Sequence, residues 1–302
     1  MKRSAIAIVI LGTIRLAGTS QAQDLEPRAY TASPIGTNFI LVGVGHSTGD
    51  VLVDPSAPVQ DAHATTNLAM VGAGTTFALF GRTALVAGVF PYAWAKAKGR
   101  VGETAAEVTR SGLADPRIKL SVNLLGGRAL TRSEFARATR PTIVGISLTV
   151  SPPLGQYDPA RLVNLGANRW AFKPEAGISH LIGKWTLEGY VGAWLFTANN
   201  SYYTGSSIRT QDPIYGFQAH AGYTIKPRLW GAFDATWYSG GVTLIDGRGT
   251  GILQRNTRLG ATLSVPLTQH QSIKGAVSKG ATTRIGSDFT TVSAAWQYSW
   301  FD

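Results

Sequence analysis

Asp288-Phe-Thr-Thr-Val-Ser-Ala-Ala-Trp-Gln-Tyr-Ser-Trp-Phe-Asp302 closes the chain. Read with a period of two, Thr290, Val292, Ala294, Trp296, Tyr298 and Trp300 share one face, and Ser293, Ala295, Gln297 and Ser299 share the other. The apolar face thickens into aromatics towards the chain end. Aromatics at one end of an apolar strand face are what a membrane-interface girdle requires. A soluble sheet would instead turn a face of mixed aliphatics onto a core. The stretch therefore reads as the last strand of a transmembrane antiparallel barrel.

The other end agrees. Met1-Lys-Arg-Ser-Ala-Ile-Ala-Ile-Val-Ile-Leu-Gly-Thr-Ile14 places two cations before a short apolar run, and Ser20-Gln-Ala22 offers small residues at cleavage spacing. Residues 1–22 read as an export signal with Gln23 as the mature start, and 23–302 as one domain. Arg15 interrupts the run well short of the roughly 18 apolar residues of a spanning helix. No later segment is long and apolar enough either, so a membrane protein of this sequence has to cross as a closed sheet. Only helices and closed barrels satisfy every backbone polar group in lipid.

Glycine makes up 35 of 302 residues, which suits curved strands and tight turns. Cysteine is absent, which removes disulfides and thiolate ligands. No metal site and no cofactor is expected. Taking the leader cations Lys2, Arg3 and Arg15 from the formal +11 leaves +8. On an exported chain with dispersed cations, this charge points to a cation-rich lumen and to lipopolysaccharide phosphates rather than to nucleic acid.

Strand candidates recur at 37–46, 64–79, 83–97, 115–126, 140–152, 169–181, 184–197, 213–225, 228–239, 254–266, 270–280 and 288–301. The expected architecture is all-β: a transmembrane up-and-down barrel of about twelve strands. An even number puts both termini on the periplasmic side. Short links such as Phe80-Gly-Arg82 and Lys226-Pro-Arg228 alternate with long polar ones. Thr131 and Glu134 form a capping-box signal for one helical turn among the short links. About 14 residues precede the first strand in the mature chain, which predicts no plug domain.

Charge on a lipid-facing position costs about 2–4 kcal/mol at the midplane, so ionisable residues set the register. By that rule Arg117, Lys119, Lys173, Glu175, Glu188, His220, Asp234, Arg258 and Lys274 face the lumen, as a bracing network or a polar constriction. Tyr190, Trp194, Trp230 and Tyr238 share that side, as lumen filling or as an aromatic slide. Trp185, Tyr223, Trp237, Trp296, Tyr298 and Trp300 form the outer girdle. The strands at 64–79 and 83–97 are nearly uniform in Ala, Gly, Val and Leu, and their faces cannot be assigned. Tyr157 and Arg161 mark the long loop 152–169 as a lid or a rim cap. The histidines lack a nucleophile elbow or a metal-pair spacing, so no catalysis is expected.

Several stretches carry a resemblance: Ala114-Asp-Pro-Arg-Ile-Lys-Leu-Ser-Val-Asn-Leu-Leu-Gly126, Thr142 to Pro159, and Leu165-Gly-Ala-Asn-Arg-Trp-Ala-Phe-Lys-Pro-Glu175. Pro34-Ile-Gly-Thr-Asn38, Gln211-Asp-Pro213, Gln218-Ala-His220 and Thr283-Arg-Ile-Gly-Ser-Asp-Phe289 extend it. Together they resemble the "putative MetA-pathway of phenol degradation" family, whose members are usually labelled transporters. The resemblance implies a Gram-negative outer-membrane barrel that passes small aromatic or apolar solutes, with barrel-assembly machinery and outer-membrane lipids as partners. The alternatives are a non-conducting structural or surface-interaction barrel and, further off, an outer-membrane lipid-modifying enzyme.

Overall fold

The computed structural model describes residues 25–52, 59–101, 104–138, 142–203, 205–249 and 251–301. The expected export signal, residues 1–22, and the terminal Asp302 lie outside them. The first elements are β1 (Thr37–Leu52), β2 (Val59–Leu79), β3 (Arg82–Val101), β4 (Thr104–Leu113), β5 (Arg117–Leu125) and the helix α1 (Arg132–Arg137). β6 (Ile143–Ser151), β7 (Ala171–Ile182), β8 (Trp185–Phe196), β9 (Asn199–Tyr202), β10 (Ser207–Gln211) and β11 (Ile214–Lys226) follow. The chain ends with β12 (Leu229–Gly240), β13 (Thr243–Ile245), β14 (Gln254–Pro266), β15 (Gln271–Thr282) and β16 (Gly286–Phe301).

Twelve antiparallel staves close into a barrel. β4 and β5 pair with successive parts of β3, and so form one stave broken at 114–116. β1 closes onto β16 in continuous register from Thr37 opposite Phe301 to Leu52 opposite Gly286. Closure removes both sheet edges, whose unpaired backbone groups lipid could not satisfy. The rim where Thr37 meets Phe301 is proximal, with the short turns; the opposite rim is distal, with the long loops.

The turns explain the register. Phe80 and Gly81 both have positive φ between the paired residues Leu79 and Arg82, a two-residue hairpin whose twist matches the flanking strands. On the proximal side Thr131 caps α1, taking the Glu134 backbone N–H while the Glu134 carboxylate takes the Thr131 N–H. The Thr131 backbone N–H and hydroxyl, both donating to that carboxylate, hold it below its ordinary range. The Arg132 guanidinium lies 4.6 Å above the ring of Phe301, at the end of the closing strand.

Alternation carries through the wall. On β8, Trp185, Leu187, Val191 and Leu195 are exposed outside, whereas Thr186, Glu188, Tyr190 and Trp194 are buried inside. β2 and β3, whose faces the sequence leaves open, settle the same way. Val71 on β2 and Val86, Phe90, Tyr92 and Trp94 on β3 are exposed outside, while Ala64, Ala93, Ala95 and Ala97 are buried inside. Both strands run longer than expected. Their distal ends carry polar residues outward, including Asp61, His63, Lys96, Lys98 and Arg100, so they extend beyond an apolar belt.

Outer aromatics occur near both rims. Trp185 and Tyr223 meet at 5.0 Å near the proximal rim, and Trp296, Tyr298 and Trp300 follow one another along β16. Trp237 stands in the distal half with exposed Tyr92, Trp94, Trp170 and Tyr215. Tyr215 and Tyr223 on β11 are about 26 Å apart along the strand, comparable with an apolar band about 25 Å tall.

Candidate functional site: a lumen with one apolar wall and an inserted N-terminal segment

The interior has two unlike walls. On β1–β3, Phe39, Leu41, Leu68, Met70, Leu85 and Val89 point inward and keep part of their surface free. Glycines opposite them make the room: a Cβ at Gly74 would collide with the ring of Phe39, and one at Gly72 would stand 3.1 Å from Leu41. The other wall is polar. Glu175 Oε2 takes the Lys173 ammonium at 2.6 Å and Gln218 Nε2 at 3.4 Å, and Lys119 lies 3.8 Å from Oε1. His220 Nδ1 meets Asp234 Oδ1 at 2.7 Å, and Thr262 donates to the other oxygen at 2.8 Å. Arg258 donates to Ser278 and Thr291 at 2.9 and 2.8 Å.

Every lumen charge expected from the register lies on the inner face. Lys173, Glu175, Glu188, His220, Asp234 and Arg258 are buried, and Arg117 and Lys119 are half-buried. Lys274 pairs with inward Ser264 and is exposed to the lumen. Tyr190, Trp194, Trp230 and Tyr238 also face inward, but all four are packed away. The apolar surface left free inside is mainly aliphatic, with Phe39 its one aromatic, and lies across the barrel.

What the sequence reading did not anticipate is the segment before β1. Residues 25–30 enter the lumen and dock on the polar wall, while Ile35 and Gly36 bond at the proximal rim to the Leu130 and Thr76 carbonyls. Tyr30 is 1% exposed, its hydroxyl 3.0 Å from Ser147 Oγ and 3.2 Å from Glu175 Oε1. Its ring packs edge-on against Tyr190 at 5.1 Å and fills the space over the cross-strand pair Gly145 and Gly177. Glu26 accepts from the Lys119 ammonium at 2.7 Å. The Arg28 backbone N–H donates to Glu188 at 2.6 Å, while its guanidinium reaches Thr224 and stacks on Trp230 at 4.2 Å. Leu25 occupies a second notch, at Gly260. Much of the lumen polar network is thus engaged by the chain's own N-terminal segment.

The distal mouth is covered too. The loop between β6 and β7 folds inward and buries Val163 against Val51, Ala62, Ala64, Ala97 and Phe289, and Leu165 against Ala93 and Ala95. Asp115, at the break between β4 and β5, pins it by accepting the backbone N–H groups of Gly155 at 2.8 Å and Ala167 at 2.7 Å. Tyr157 points in, accepting from Asn199 and donating to the Ser201 carbonyl, and burial raises its pKa. Arg161 points out and pairs with Asp158 at 2.8 Å. A small sheet of β13, β10 and β9 completes the cap. Beneath it, Lys173, Trp194, Ile214 and Gln218 line a cavity of about 10 Å³, room for about one water. Among the described residues no group of three metal-binding side chains occurs.

Comparison with solved structures returns the same barrel. The chain superposes on the COG4313 outer membrane channel from Pseudomonas putida F1 with a TM-score of 0.76 at 21% identity, covering 92% of this chain and 100% of that one. The β domain of the Bordetella autotransporter BrkA follows at 0.54 and 12% identity, with 88% and 100% covered. The transport unit of the Escherichia coli autotransporter AIDA-I gives 0.51 and 14%, with 94% and 95% covered. No curated protein matches the sequence. The family model described as "Putative MetA-pathway of phenol degradation" matches residues 44–294, so the chain belongs to that family.

Proposed function

We propose that the protein is an outer-membrane channel for passive passage of small apolar or aromatic solutes, exported with its proximal rim towards the periplasm. The observation that carries this reading is the unequal lumen. An ordinary polar pore wets its whole circumference, whereas here Phe39, Leu41, Leu68, Met70, Leu85 and Val89 keep apolar surface free inside the barrel. Such a wall offers an apolar body a partner that water cannot replace, and the polar wall opposite keeps the path hydrated. The solved channel from Pseudomonas putida supports the reading by likeness of fold.

The inserted segment and the loop cap make this a closed state, opened by undocking of residues 25–30 and lifting of the loop. Flux of benzyl alcohol and of a sugar of similar size into liposomes carrying the refolded protein tests the reading. Benzyl alcohol is expected to enter faster than into protein-free liposomes, and with a larger gain than the sugar. Absence of both flux and single-channel conductance, also after removal of residues 23–31, would leave a structural barrel with a filled lumen.

A further inference from the structure

Arg169 and Arg209 sit within the distal cap, 5% and 8% exposed. Arg169 Nη2 donates to Gln211 Oε1 at 2.6 Å, but its Nε and Nη1 are buried with no acceptor, and so is Arg209 Nε. Gln211 and Arg209 share the buried face of β10, which brings both guanidiniums to one side of the cap. The carboxylate of Asp115 acts on Arg169, yet its two oxygens are taken by the Gly155 and Ala167 N–H groups. Burial and the neighbouring Arg209 charge push the Arg169 guanidinium down, and burial does the same to Arg209.

Two like charges held out of water with idle donors are an arrangement that an isolated chain has no reason to keep. An anion between them would take the donors and cancel the repulsion, and a guanidinium fork suits a carboxylate best. Aromatic rings back both groups: Phe196 lies 4.1 Å from Arg169 and Tyr202 lies 5.4 Å from Arg209. Phe196 leads into the buried cluster of Ala171, Trp194, Ile214 and Tyr238, which gives an apolar body a surface directly beneath the cations.

We propose that Arg169 and Arg209 form a carboxylate-binding site at the distal mouth, which makes the solute class amphipathic organic acids with an aromatic or compact aliphatic body. The solute class rests on the channel reading; the site itself does not. The cavity beneath holds only about one water, so the acid enters as the 152–170 loop lifts.

Calorimetric titration of the refolded full-length protein in detergent tests it, with benzoate, benzyl alcohol and chloride as probes. Benzoate is expected to bind at one site, more tightly than chloride or benzyl alcohol. Arg169→Gln and Arg209→Gln should each weaken it about tenfold or more, as befits loss of a buried charged donor. Arg161→Gln, exposed and paired with Asp158, should leave it unchanged. Benzoate should also raise the melting temperature of the unmodified protein where benzyl alcohol does not, a readout independent of how the variants fold. No benzoate binding, equal binding by both Gln variants, or chloride binding as tightly as benzoate would each overturn the site. Flux of benzyl alcohol without benzoate binding would discard the site and keep the channel; binding without any flux would do the reverse.

Discussion

The ring of Tyr30 occupies the space that a side chain at Gly177 would need: a Cβ there would collide with it. Strand glycine ordinarily weakens a sheet. Here the pair Gly145 and Gly177 gives up side chains on adjacent strands, and the ring of the inserted segment lies in the notch. The barrel wall is shaped to hold its own N-terminal segment.

Gly177→Ala should therefore undock residues 25–30 without unfolding the barrel. Tyr30→Ala should do the same by removing the ring, with up to about 3–5 kcal/mol of docking free energy lost, the range for emptying a buried aromatic site. Single-channel conductance in planar bilayers is expected to rise in both, and the N-terminal segment to become sensitive to added protease. Unchanged conductance in both would mean that the segment does not obstruct the path.

Glu26 and Lys119 form an ion pair between the docked segment and the wall, at 2.7 Å. Lys119→Met leaves Glu26 and Glu175 without that cation and should loosen the segment. Adding Glu26→Gln should recover part of the loss, with a coupling of about 0.5–3 kcal/mol. Protease sensitivity of the two single variants and the double variant gives the cycle, and strict additivity would rule the pair out as a latch.

Asp115 links the loop cap to pH. Burial holds its carboxyl above its ordinary range, although the backbone N–H groups of Ala167 and Gly155 oppose the shift. A carboxyl raised in the folded state contributes stability that is present below its unfolded pKa and lost as pH rises through its folded pKa. The cap should therefore be tightest at and below the ordinary aspartate range and loosen as pH rises through the raised pKa. Hydrogen exchange at 152–170 should show this in the unmodified protein and show no such pH step in Asp115→Asn. Asp115→Ala should free the loop at all pH values.

Val191 stands on the outer face of β8 at 60% exposure, with buried Tyr190 beside it facing inward. Val191→Arg should cost about 2–4 kcal/mol of folding free energy in a bilayer if the position lies near the midplane. The same change in detergent micelles should cost less. Equal stability of Val191→Arg and the unmodified protein in bilayers would place that face outside the lipid.

Much of the barrel was legible because its signals are local. A charge such as Glu188 or Arg258 cannot sit against lipid, so each fixes the face of its own strand. Thr131 and Glu134 read as a capping box because both partners of the motif lie within one turn. β2 and β3 were illegible for the converse reason: small apolar residues on both faces give no contrast, and only pairing with Phe39 and Leu41 on β1 shows which side is inner. The inserted segment gave no signal at all. Tyr30, Glu26 and Arg28 lack periodicity, and their partners Ser147, Glu175, Lys119 and Glu188 lie about 90 to 160 residues away along the chain.

The sequence by itself determined the class of object, the number of staves and a face for the charged wall residues that it named, because alternation with period two and the cost of charge in lipid act strand by strand. Tertiary structure alone decided what occupies the interior. Closure brings distant strands to face a common space, and only then do the glycine notch for Tyr30, the Asp115 pin and the pairing of Arg169 with Arg209 come into being. These depend on which strands and loops meet over the common interior, a relation that no local pattern in the chain encodes.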